Sequence, residues 1–88
     1  MTEILAIGTS EATSSDFTLT GESSSLLLTN TSGLLVLGAY ADIQAKTAAG
    51  AYVTIGRLTY DFPLLVISSP GTYRVMRPTG GSCGVDRS

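Results

Sequence analysis

Gly80-Gly81-Ser82-Cys83-Gly84 spells the G-x-S-x-G of a nucleophile elbow. The letters alone do not make one. An elbow serine needs a histidine base and a strand-turn-helix setting, and the chain has no histidine. Cys83 fails as a nucleophile for the same reason. As the single cysteine it can form neither an internal disulfide nor a zinc site. The carboxylates of Glu3, Glu11, Asp16, Glu22, Asp42, Asp61 and Asp86 are spread singly, so no spacing proposes general acid–base work. The chain therefore reads as a protein that is not an enzyme, with no catalytic, metal-ligating or cofactor-binding residue assigned and no cofactor expected.

The arginines are the next candidates. Arg74, Arg77 and Arg87 lie near Tyr73, a mixture that in a basic chain points to nucleic acid. Here the net charge is −2, and in a strand Arg74 and Arg77 fall on opposite faces, so no basic patch and no nucleic-acid partner are expected. Arginines of this kind more often meet carboxylates at protein interfaces, where the planar fork gives specificity. Tyr73 reads as a core residue whose hydroxyl bonds the backbone, as in a tyrosine corner. Asn30-Thr31-Ser32 fits a glycosylation acceptor. Without a signal peptide it reads as a turn.

These residues need strands to hold them. Pro63 to Pro78 reads as strand, turn, strand. Leu64 to Ile67 is apolar at every position, as expected of a strand covered on both faces. Ser69-Pro70-Gly71-Thr72 matches a type II turn. Tyr73, Val75 and Arg77 then alternate with Arg74 and Met76, and Pro78 ends the pairing because it has no N–H. Earlier in the chain, Glu3–Thr9, Phe17–Thr20, Ser25–Thr29 and Leu34–Tyr40 read as strands. Asp42–Ala51 is alanine-rich, yet Ile43, Ala45 and Thr47 alternate with Gln44 and Lys46. A strand is favoured over a helix there, with Ala49-Gly50 as a hairpin loop into the strand Tyr52–Thr59. In that strand Val53 and Ile55 share one face, with Tyr52, Thr54 and Leu58 on the other. The result is all-β: a small antiparallel β-sandwich or barrel of about seven to eight short strands. Residues 1–79 form the domain. Residues 80–88, with three glycines in five residues from Gly80, read as a flexible arm or as a strand that orders on a neighbour.

At 88 residues the chain makes one domain that buries about 60–65% of its unfolded surface. With disulfides and metals closed off, oligomerisation is the compensation left open, unless the core suffices. Serine and threonine make up about a quarter of the chain and charged residues 14%, a composition suited to surfaces covered by neighbours. Residues 1–45 hold Glu3, Glu11, Asp16, Glu22 and Asp42 and no basic residue. Residues 46–88 hold Lys46 and four arginines against Asp61 and Asp86. Either the halves interleave in space, or an acidic patch meets a basic one between copies, head to tail. The longest apolar stretch, Leu34–Ala41, is far short of the roughly 20 residues of a span, so no membrane is expected. Synthesis in a cytoplasm is expected.

Gly50-Ala51-Tyr52-Val53-Thr54-Ile55-Gly56-Arg57-Leu58, Ser69-Pro70-Gly71-Thr72-Tyr73-Arg74-Val75, an Arg-Pro, and an ending on Gly84-Val85-Asp86-Arg87 together resemble small β-sandwich virion proteins of tailed bacteriophages. The resemblance covers roughly residues 42–88. It implies a capsid decoration or cement protein, present in many copies in the virion. Such a protein would bind the major capsid protein and other copies of itself, as a homotrimer or lattice. Arg74, Arg77, Val85 and Arg87 are then the candidate interface residues, with Glu11 and Asp16 as acidic counterparts. The alternative is a tail or fibre module that binds other tail proteins or host surface glycan, with Tyr40, Tyr52 and Tyr60 as sugar platforms. A host-directed regulator is a third class.

Overall fold

In the computed structural model, which describes residues 1–31 and 33–88, nine strands form among the described residues and no helix. They are β1 (Thr2–Gly8), β2 (Ala12–Thr13), β3 (Phe17–Leu19), β4 (Ser24–Thr29), β5 (Tyr40–Lys46), β6 (Tyr52–Thr59), β7 (Leu64–Ile67), β8 (Gly71–Arg77) and β9 (Cys83–Arg87). Every pairing is antiparallel. One sheet runs β1-β9-β4-β7. The other runs β2-β8-β5-β6, with β3 beside β2 on the same edge of β8. The expected all-β sandwich is the fold.

Alternation builds the core. β4 turns Ser24, Leu26 and Leu28 inward, β5 turns Ala41 and Ile43 inward, and β8 turns Tyr73, Val75 and Arg77 inward. Leu19, Leu58 and Val85 fill the space between the sheets. The strand expected over Asp42–Ala51 forms as far as Lys46. Thr47–Gly50 then closes a hairpin in which the Gly50 amide donates to the Thr47 carbonyl and the Thr47 amide to the Ala51 carbonyl.

Four expectations change. First, Leu34–Ala39 is a loop, with a turn at Leu37-Gly38 in which the Ala39 amide donates to the Val36 carbonyl at 3.0 Å. Gly38 has φ +90°, a conformation that ends a strand and suits glycine alone. Second, Pro70-Gly71 is not a hairpin turn. β7 pairs with β4 and β8 with β2, β3 and β5, so the segment carries the chain from one sheet to the other. Gly71 has φ +153°, far from the +80° of a type II turn. The Tyr73 hydroxyl pins this crossing by donating to the Ser69 carbonyl at 2.7 Å, so the tyrosine corner is real.

Third, residues 80–88 are no arm. β9 lies inside its sheet between β1 and β4, with Cys83 and Val85 fully buried. Ser88 continues along β4, its amide donating to the Ser25 carbonyl and its own carbonyl accepting from the Ser24 hydroxyl. The glycines signal close approach here, not flexibility. A Cβ on Gly84 would sit 2.7 Å from the Leu5 carbonyl oxygen, and one on Gly81 would sit 2.9 Å from the Ala39 Cβ. Fourth, β6 carries a bulge. Gln44 faces Thr54 and Ile43 faces Gly56, which leaves Ile55 as the extra residue. The bulge switches faces along the strand: Leu58 lies in the core while Tyr52 and Thr54 stand opposite Lys46 and Gln44 on the outer side.

Candidate interaction surface

The arginines divide as their alternation requires. Arg77 goes inward and is 4% exposed. It reaches from β8 to the opposite sheet. Its Nε donates to the Ser10 carbonyl at 2.8 Å, and its Nη1 donates to the carbonyls of Ala6 and Cys83. The ladder between β1 and β9 breaks register between Leu5 and Gly8, next to the Ala6 and Cys83 carbonyls that take these bonds. Arg77 is thus a staple between sheets, and a buried guanidinium so engaged is no contact for another molecule. Val85, fully buried beside its cross-strand partner Leu5, is likewise core. Both were expected at an interface. The parity of β8 and the interior place of β9 put them inside.

Arg74 faces outward and meets Asp16 within one copy through Tyr52. Its Nε donates to Gln44 Oε1 at 2.7 Å, and its guanidinium lies 3.5 Å from the centre of the Tyr52 ring. The Tyr52 hydroxyl donates to the Asp16 carboxylate at 2.6 and 2.8 Å. That bond, then burial, raises the Tyr52 phenol above its ordinary value. Arg87 stacks on Phe17 at 4.5 Å. Glu11 is exposed beside β2. Arg57 pairs with Asp42 at 2.7 Å and covers the Tyr40 ring at 4.2 Å. These contacts interleave the acidic and basic halves of the chain. Of the three tyrosines read as sugar platforms, Tyr40 and Tyr52 have guanidinium groups over their rings, and Tyr60 stays half exposed. Tyr60 shares a cleft of about 170 Å³ with Leu37, Tyr40, Arg57 and Asp61.

Cys83 is buried and its thiol is pushed up by desolvation, so it is poorly placed to react. Among the described residues no group of three or more Cys, Asp or Glu side chains is arranged to hold a metal. No helix of the described residues is long and apolar enough to cross a membrane. The third residue of the Asn30-Thr31-Ser32 acceptor lies outside the described residues.

The surface that sequence reasoning missed lies at the other flank. β6 ends one sheet and β7 ends the other. The two approach each other at Gly56, where a Cβ would sit 3.2 Å from Leu65 Cδ1. Val53, Ile55, Leu64 and Val66 on these strands, with Tyr60 and Phe62 in the connection, are between 49% and 74% exposed. Leu34 and Leu37 are exposed in the loop before β5. An apolar cleft of about 280 Å³ lined by Leu27, Leu28, Leu35 and Pro63 opens beside β7. The signal was present in the uniformly apolar Leu64–Ile67. It was read as a strand covered on both faces, and the chain covers only one.

No family model, curated protein or solved structure matches the chain.

Proposed function

We propose that the protein is a non-catalytic assembly protein, a bacteriophage virion component of the capsid decoration or cement type. It binds the major capsid protein and other copies of itself and stabilises the shell by favouring the assembled state. One observation carries the reading: the apolar flank and loop, Leu34 to Leu37 and Val53 to Val66, which keep nine large hydrophobic side chains exposed among the described residues. Apolar surface of this extent marks an interaction site. The resemblance of residues 42–88 to small virion proteins supplies the particular setting.

Quantitative mass spectrometry of purified particles tests it. Copies within a few-fold of the major capsid protein are the expected result. Absence from particles refutes the proposal. A few to a few dozen copies instead favours a tail or fibre module, for which the cleft between Tyr40, Arg57, Tyr60 and Asp61 is the place to look for a bound sugar. A glycan screen without a hit counts against that second reading.

A further inference from the structure

The two flanks of the sandwich are finished differently. On one side the edge strand β1 breaks register with β9 twice and carries Glu3, while β2 and β3 are two and three residues long. Bulges, charges and short strands are the means by which natural edges are blunted. On the other side β7, though only four residues long, carries neither a bulge nor a charge. Leu64-Leu65-Val66-Ile67 contains no charge or proline and keeps an unbroken register with β4. β6 carries the bulge at Ile55, but it is eight residues long, and its one charge, Arg57, is held by Asp42 of its own sheet. An open, uncharged, apolar edge pairs with another strand when one is supplied.

We infer that this flank is covered by a second copy of the chain, related by a two-fold axis normal to the sheets, with β6 against β6 and β7 against β7, both antiparallel. This deepens the assembly reading above and names the partner of the flank. Three arguments select a second copy. The opposite flank is blunted, so head-to-tail addition meets only an edge whose register is broken twice, which favours an isologous contact. A single two-fold operation through both sheets brings both open edges to their own counterparts at once. β7 brings no charge to the contact, so apposing identical edges there creates no like-charge repulsion. The exposed parts of Val53, Ile55, Tyr60, Phe62, Leu64 and Val66 offer at most about 600 Å² of mostly apolar surface, the lower end of the roughly 600–1,000 Å² per partner of a standard interface. A two-fold contact closes at a dimer, in place of the three-fold assembly that the resemblance implies.

The test is sedimentation velocity of the intact chain over about 1–300 µM, with Leu64→Lys and Val66→Lys beside the wild type. Both side chains are more than half exposed, so their replacement leaves the core alone, and unchanged circular dichroism confirms it. The wild type is expected to dimerise, each variant to raise Kd at least about tenfold, and amide exchange in β6 and β7, but not in β1, to slow as concentration rises. A monomer at every concentration, a trimer or larger species, or a dimer indifferent to both variants overturns the inference. So does protection of β7 that arises only on adding another protein, which assigns the edge to a foreign strand. The capsid reading fails separately: a dimer absent from particles removes the virion role and leaves the interface standing.

Discussion

Replacing Arg77 by methionine tests whether the buried guanidinium holds the sheets together. The side chain makes three hydrogen bonds to carbonyls of Ser10, Ala6 and Cys83, two of them on strands of the opposite sheet. Bonds from a charged donor contribute about 1.5–3 kcal/mol each, and a buried carbonyl left bare costs about 1–3 kcal/mol. Ser10 is exposed, so water replaces that bond. The Ala6 and Cys83 carbonyls stay without a donor. Against this, methionine removes the cost of burying a cation, which for buried ion pairs recovers several kcal/mol. The balance is a loss of about 3 kcal/mol, a large share of the roughly 4–13 kcal/mol expected of a domain this size. Thermal unfolding followed by circular dichroism should show Tm lower by about 12–24 °C. Arg77→Lys keeps the charge, but a compact ammonium lacks the fork that spans the three carbonyls, so it should recover only about a third of the loss. A methionine variant within a few degrees of wild type, or above it, would show that desolvation cancels the bonds and would refute the staple.

Three further outcomes follow from the same geometry. Truncation after Pro78 deletes β9 from between β1 and β4, so the product should show no cooperative thermal transition; a folded product would restore the arm. Tyr73→Phe removes the bond to the Ser69 carbonyl and should lower stability in urea by about 1–1.5 kcal/mol, whereas no change would mean that the crossing is held by packing alone. The Tyr52 phenol, raised by its bond to Asp16, should ionise above the ordinary value of about 10 in an ultraviolet titration, and Asp16→Asn should bring it down. Because the folded value is the higher one, the contribution of this bond is complete below the unfolded pKa and is lost as pH rises through the folded one. Identical titrations of wild type and variant would show that the bond is not made in solution.

Local chemistry was legible where it rests on alternation or on a single side chain. β8 sorted Tyr73, Val75 and Arg77 from Arg74 and Met76, and the Tyr73 hydroxyl found the backbone. The hairpin at Ala49-Gly50 followed from turn chemistry and an apolar strand beyond it. Pairing partners were not legible, because nothing in Leu64–Arg77 states that its two strands belong to different sheets. Glycine was ambiguous for a related reason. A Gly-rich end means freedom in isolation and close approach in a sheet, and only the neighbour decides. The neighbour of Gly84 is the Leu5 carbonyl. Arg77 was misplaced because a charge at an inward position is discounted by transfer energy, and carbonyls released by a break in register leave no trace in the sequence.

The misreading of Leu64–Ile67 has more content than the other misreadings. A strand apolar at every position is patterned for cover on both faces, and that inference concerns what surrounds the strand, not which chain supplies it. The fold supplies one cover, in Ile67 and Leu65 packed on the core, and leaves Leu64 and Val66 more than half exposed. On the next edge strand, β6, Val53 and Ile55 are also more than half exposed. The blunted β1 flank shows that this chain carries the usual devices against unwanted pairing. The lack of a charge or bulge in β7 is therefore a property of that edge and not of the chain as a whole. An 88-residue sandwich without a disulfide gains stability from any cover that binds the folded state alone. The apolar edge that weakens the isolated domain is the edge through which association would stabilise it.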